Sequence, residues 1–357
     1  MAMLAHSNSS VTGRASSSPR ELDPAVAGRI PVWLDCDPGH DDAMAIVMAG
    51  HNSKLRLLGI STVAGNQTVE KVTVNALGVV DAAGLQHINV YKGQPKPLMR
   101  PLPILCPEIH GDGGLDGPEG RALLPSGGKL AQPGKAVLHM YSYIMEAFRQ
   151  GGRLQKVRVI CTGALTNVAL LVSLYPEVIP RLEVVLMGGA MGIGNTGPVM
   201  EFNIQTDPEA AKIVFECGAP VVMLPVELTH TALVTPDILN RISAELADNT
   251  PFLQLIKQLL LYFADSYRTV FKFDHPPLHD PCAVAYVIAP ELFKVELMRV
   301  DVETLSELSA GQTVCDVWHQ SSKPKNVGVA QRMDVTRFWD LMIDALKAAN
   351  AVSPLNK

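Results

Sequence analysis

From residue 30 onward, short and almost continuous apolar runs alternate with longer stretches whose apolar positions recur at helical spacing. The short runs are "IPVWLD" (30–35), "LRLLGIS" (55–61), "INVY" (88–91), "KVRVIC" (156–161), "LEVVLM" (182–187) and "PVVMLPV" (220–226). Helical patterns fill 68–84, 134–150, 164–174 and 207–217 between them. Strands that are apolar on both faces need cover on both faces, and strands separated by helices pair in parallel. The pattern predicts an α/β fold: a single domain with a mainly parallel open sheet covered by helices. A second helical zone (235–271), two further strands (near 296–303 and 313–318) and an amphipathic closing helix (336–350) complete it. No stretch inside 30–350 has linker composition, so one domain is expected there, with 351–357 as a tail.

Polar residues gather where the apolar runs stop. "DCDPG", "TVAGN", "CTGALTN" and "LMGGAMGIGN" each place Gly, Asn, Thr or Asp just after a strand. Ligands of open α/β sheets bind outside the carboxyl ends of the strands, so the active site is expected at those C-terminal ends. The Pro- and Gly-rich segment 92–133 is too long for a plain connection and is expected to contribute.

Composition narrows the class. A formal net charge of -5 over 357 residues, with no run of Lys or Arg, leaves no basic face for nucleic acid. No apolar run approaches the ~20 residues of a membrane span. Six cysteines without a CxxC pair read as unpaired thiols of a cytoplasmic protein. Residues 1–29 are rich in Ser and small residues and lack the apolar centre of a secretory signal, so a disordered leader is expected. Arg14, Arg20 and the serines also suit an organelle transit peptide, whereas Glu21 and Asp23 do not.

The densest chemistry is "VWLDCDPGHDDAM" (32–44), with Asp35, Asp37, Asp41 and Asp42 at the junction of a strand and a helix. Helix capping accounts for Asp41 or Asp42 alone, not for four like charges. A cation bound by oxygen would account for all of them. The calcium loop of an EF-hand fails here, because Gly39 and His40 stand at its fifth and sixth positions. A magnesium-dependent phosphoryl site, with Asp35 as nucleophile and Asp37 as acid, lacks a lysine partner for the phosphate. Elsewhere, "LHDPCAVAY" supplies His279 and Asp280, and "VMEFNIQTDPEAA" supplies Glu201 and Asn203 around Phe202. Asn66 and Asn195 stand at further loop tips. Such acids and amides suit a small polyhydroxylated ligand, each of whose hydroxyls donates and accepts. Each has a plainer reading too: Asn66 and Asn195 as turn residues, His279 as a core histidine, Asp207 and Asp280 as caps before proline.

These blocks, with "IHGDGG", "TGALTNVA" and "VVLMGG", resemble in order the inosine–uridine-preferring nucleoside hydrolases, over nearly all of 30–350. The resemblance implies cleavage of ribonucleosides by water into ribose and free base around one calcium ion (Ca2+). It implies that Asp37, Asp42, Asp280 and the carbonyl of Thr162 hold the ion, with Asp35 as a supporting or coordinating carboxylate. Asp37 is also the implied general base, activating the metal-held water. Asp41 and Asn66 are implied to hold the 2′- and 3′-hydroxyls. Asn195, Glu201 and Asn203 are implied to hold the rest of the sugar, beside Phe202, His110 and Met187. His279 is implied beside the leaving base, either as its acid or as a side chain packed against it, with Tyr267 as an aromatic contact. The chain looks most like plant-type members acting on uridine, inosine and xanthosine, and a homodimer or homotetramer is implied. A non-catalytic nucleoside or sugar sensor and a magnesium-dependent phosphatase stand as rivals.

Overall fold

The computed structural model describes residues 28–124, 128–150, 156–246 and 249–357; most of the expected leader lies outside them. The strands are β1 (Ile30–Cys36), β2 (Leu55–Thr62), β3 (Val90–Lys92), β4 (Val157–Cys161), β5 (Leu182–Met187), β6 (Val221–Leu224), β7 (Phe293–Met298), β8 (Val300–Val302), β9 (Thr313–Cys315) and β10 (Val327–Met333). The helices on the amino-terminal side of β5 are α1 (His40–His51), α2 (Val69–Ala82), α3 (Pro107–His110), α4 (Ala136–Gln150) and α5 (Thr166–Leu174). After β5 follow α6 (Phe202–Thr206), α7 (Pro208–Glu216), α8 (Val226–Thr229), α9 (Pro236–Glu245), α10 (Pro251–Val270), α11 (Pro281–Ile288) and α12 (Val335–Val352).

Eight strands form one sheet in the order β3-β2-β1-β4-β5-β6-β10-β7, parallel throughout except for β7. Successive side chains of a strand point to opposite faces. Accordingly Val32, Leu34 and Cys36 enter one core layer with α1, α2, α10, α11 and α12. Trp33 enters the other, with α4, α5 and α7. Chain order departs from β1 to β2 on one side and resumes at β4 on the other, so the sheet reverses between β1 and β4. The crevice at such a reversal is where open α/β sheets bind ligands.

Several expectations need correction. The strand expected at 220–226 stops at Leu224, because Pro225 lacks an N–H for the ladder and Val226 opens α8. The expected strand 296–303 is two strands, one in the main sheet and one in the small antiparallel pair β8-β9. Strand β10 was not expected at all, and it lies between β6 and β7. The expected tail from 351 is folded: α12 runs to Val352, Ser353 Oγ donates to Ala82 O at 2.6 Å, and Asn356 Oδ1 accepts from Phe252 N at 3.0 Å. No helix among the described residues is long and apolar enough to cross a membrane.

Candidate active site

Strand β1 ends in Asp35-Cys36, and after the turn at Pro38-Gly39 helix α1 begins, so four acids are delivered to the crevice between β1 and β4. Asp42 sits in the first turn of α1, where its Oδ2 accepts from Gly39 N (3.0 Å) and Asn66 Nδ2 (3.1 Å). Its Oδ1 accepts from Thr162 Oγ1 at 2.7 Å, which ties the end of β1 to the end of β4. Asp37 Oδ2 accepts from Asn66 N at 2.7 Å. The backbone closes tightly around it: a Cβ at Gly65 would come within 2.0 Å of Asp37 Oδ2, and one at Gly163 within 2.7 Å of Oδ1. Asp35 belongs to a network of its own, its Oδ1 accepting from Ser61 Oγ (2.5 Å) and Asn167 Nδ2 (2.7 Å).

From the far end of the chain, Asp280 at the start of α11 brings a carboxylate oxygen to within 4.8 Å of oxygens from Asp41 and Asp42. All of these acids are buried, and burial raises the pKa of each. Asp35 and Asp41 are pushed up to about 7. Burial and then the charge of Asp42 lift Asp37 well above its ordinary value; burial and then the charges of Asp41 and Asp42 do the same to Asp280. Two buried oxygens, Asp35 Oδ2 and Asp37 Oδ1, have no hydrogen-bond partner. Ionising such a cluster without a positive partner is prohibitive. The donors are all oxygen, which suits a hard divalent cation. Among the described residues no Lys or Arg lines the cavity, so the phosphate reading gains nothing.

Above the acids lies a cavity with about 470 Å³ of free space, its open mouth included. Its lining contains Asp41, Asn66, Thr162, Asp280 and, from the β5–α6 side, Met187, Asn195, Glu201, Phe202 and Asn203. Asp35, Asp37 and Asp42 lie beneath it. Glu201 caps α6, accepting from Asn203 N (3.0 Å) and Ile204 N (3.2 Å), and reaches Gly189 N at 2.8 Å. Burial nonetheless pushes its carboxyl up to about 7. Asn203 Nδ2 donates to the carbonyls of Thr162 (2.9 Å) and Met187 (3.2 Å). Asn195 Oδ1 accepts from Phe202 N at 3.0 Å. Asp207 is a cap as expected, accepting from Ala210 N at 3.1 Å, whereas Asp280 makes no side-chain cap bond.

The opposite wall is aromatic: His110, Phe263, Tyr267, Phe271 and His279. Both nitrogens of His279 are engaged, Nδ1 with Thr229 Oγ1 at 2.7 Å and Nε2 with the Tyr267 hydroxyl at 2.8 Å. His279 thus lines the cavity already paired with Tyr267, a pairing the sequence reading missed by treating the two separately. Thr229 was missed as well, although "VELTH" directly after a strand carries the polar signal found at the other strand ends. His40 is a third omission: fully buried, stacked on His110 with ring centroids 5.3 Å apart, its Nε2 facing Asp116 O at 2.8 Å. Burial lowers the pKa of His40 to about 4 and those of His110 and His279 well below the usual value. Asp265 and Arg268, on the same helix as Tyr267, pair with each other on the exposed side of α10.

The sequence profile of the family described as "Inosine-uridine preferring nucleoside hydrolase" matches residues 32–340. The chain is 49% identical over 323 residues to a "Probable ribonucleoside hydrolase" of Dictyostelium discoideum, covering 89% of this chain and 94% of that one. It belongs to the inosine–uridine-preferring nucleoside hydrolase family. A "Pyrimidine-specific ribonucleoside hydrolase RihA" of Shewanella baltica (strain OS185) is 40% identical over 318 residues, 88% of this chain and 96% of the relative. Among solved structures, the "Purine-Preferring Ribonucleoside Hydrolase from Gardnerella vaginalis" superposes with a TM-score of 0.81 at 28% identity, covering 90% of this chain and all of that one. As a nucleoside hydrolase, the chain is an enzyme acting on N-glycosyl bonds, and its buried acidic cluster fits the metal ion that the family uses.

Proposed function

We propose that this nucleoside hydrolase is calcium-dependent and cleaves purine and pyrimidine ribonucleosides, uridine, inosine and xanthosine among them, to ribose and free base. The observation that carries the reading is the buried, oxygen-only cluster at a cavity lined by carboxylate and amide side chains. Asp37, Asp42, Asp280 and the Thr162 carbonyl would hold the ion, with Asp35 in support. When bound, the ion supplies positive charge that lets these acids ionise and makes water a better proton donor.

Around it, the chain's own groups divide the work. Asp41 and Asn66 bind the 2′- and 3′-hydroxyls, and Asn195, Glu201 and Asn203 hold the rest of the ribose, fixing C1′ for attack. Asp37, through Oδ1, takes the proton of the attacking water. Loss of the base leaves an oxocarbenium-like sugar, which the surplus carboxylate charge of the site favours. On the leaving side, with His279 protonated at both nitrogens, Nδ1 donates to Thr229 Oγ1, whose own hydrogen goes to Val226 O at 3.3 Å, and Nε2 donates to the Tyr267 oxygen. The phenol hydrogen is then directed at the base. Tyr267 gives that hydrogen to the leaving base and takes the Nε2 proton in its place, so His279 serves as acid through Tyr267 and ends as the neutral imidazole; His110 lines the same side.

The test is release of base and ribose from uridine, inosine and xanthosine, with calcium and with a chelator. Release that stops with the chelator and returns with calcium supports the reading. No release from any nucleoside by calcium-loaded protein would favour the sensor, and hydrolysis of nucleotides alone the phosphatase. The six free cysteines support a cytoplasmic location. A homodimer or homotetramer is proposed from the family resemblance and is checked by light scattering.

A further inference from the structure

The loop between β5 and α6 contains five glycines between residues 188 and 197. Such a segment has little conformational preference of its own, and fixing it is entropically costly. Its first part is held by the core: Gly189 N donates to Glu201, and Ala190 N donates to Thr313 Oγ1 at 2.9 Å. Its return is held by Asn195 N donating to Met200 O at 3.0 Å. Between these anchors the peptide N–H groups of Met191, Gly192 and Ile193 all end on one carboxylate. Glu227 Oε1 accepts from them at 2.8, 2.8 and 3.2 Å, and Oε2 accepts again from Met191 at 3.0 Å.

Successive N–H groups turned to one point form a concavity that binds anions, and here the chain fills it with its own acid. Gly192 and Ile193 are exposed, so without Glu227 water would take these donors and the loop would lose its shape. Two residues beyond Ile193 the loop presents Asn195 to the cavity. Glu227 itself does not line that cavity. It stands on α8, the short helix whose Thr229 also fixes His279, so one element braces both walls.

We propose that Glu227 is a positioning residue for ribose recognition: it clasps the glycine-rich loop so that Asn195 meets the 5′-hydroxyl of the substrate. This rests on the reading that Asn195 helps hold the ribose beyond its diol. Charge-assisted hydrogen bonds are about twice as strong as neutral ones. Displacing a substrate-orienting group by about 1 Å costs on the order of 100-fold in rate.

The test is steady-state kinetics of the full chain and of Glu227→Ala, Glu227→Gln and Asn195→Ala on uridine and on 5′-deoxyuridine, all with calcium. Glu227→Ala is expected to lose roughly 10- to 100-fold in kcat/KM on uridine. On 5′-deoxyuridine, which lacks the group being read, it should lose less than about threefold. Glu227→Gln keeps the single oxygen that takes all three N–H groups, so it should recover most of the uridine rate, its residual loss again confined to uridine. Equal losses on the two substrates in Glu227→Ala, or no loss on uridine, would overturn the clasp. If Glu227→Ala does not fold, Glu227→Gln decides: a residual loss shared by both substrates overturns it. Asn195→Ala separates the two levels. A uridine-selective loss there with none in either Glu227 variant sinks the clasp alone. An unselective loss removes Asn195 from the 5′-hydroxyl, and the proposal with it.

Discussion

At the level of single residues, the site is decided by which polar atoms find partners. Tyr267 and His279 find each other, and both line the cavity. Tyr267→Phe keeps the ring and removes that proton path. Its kcat on uridine is expected to fall by roughly 10²–10⁴. On a riboside with an activated phenolate leaving group, which departs without a proton, the fall should be far smaller. Steady-state rates on the two substrates check this, and equal losses would move leaving-group chemistry away from Tyr267. Glu201 gives a different prediction. Its folded pKa is about 7, above the ordinary 4.5, so between those values the folded chain binds a proton that the unfolded chain has released. Stability from this group is therefore full below pH 4.5 and declines as pH rises towards 7. The decline amounts to about 3 kcal/mol at most, at 1.36 kcal/mol per unit. Glu201→Gln, which carries no titratable proton, should flatten the stability–pH curve across that window. Urea midpoints at pH 4.5 and 7.5 compare the slopes, and parallel curves would show Glu201 ionised throughout.

At the level of elements, strands buried on both faces were the most legible. Periodicity cannot mistake "VWLDC" or "LEVVLM", and both were placed within a residue or two of β1 and β5. Strand β10 escaped because "VGVAQRM" has a short apolar core, a glycine and a charged end, and only its position between β6 and β7 makes it a strand. The single zone expected over 235–271 divides into α9 and α10. Thr250 opens the second by accepting from Leu253 N at 3.2 Å, a cap signal that a periodicity count passes over. The acids and amides of the site were legible because they cluster at strand ends in an otherwise apolar pattern. Thr229, His40 and Glu227 were not, because each works through a neighbour brought close by folding. Their meaning lies in distances of 2.7–3.2 Å that no spacing in the chain encodes.

At the level of the whole molecule, the acidic cluster is a liability that a bound cation turns into stability. Anything that binds only the folded state raises its melting temperature by mass action. Calcium at about 100 times its dissociation constant should add about 2.7 kcal/mol. A chelator is therefore expected to lower the midpoint of thermal unfolding by several degrees. Restoring calcium should reverse the shift; an unchanged midpoint would mean that no cation is held in the cluster.

The proposed ligands also lie far apart in the chain. Asp42 and Thr162 are 120 residues apart, and Asp280 comes later still, at the head of α11. An ion gripping all three acts as a removable crosslink that closes very long loops, and loop closure costs grow only slowly with length. No amino-terminal fragment can assemble the grip before α11 has docked. During synthesis the proposed grip can therefore close only after α11 has been made, with β7 to β10 and α12 still to follow.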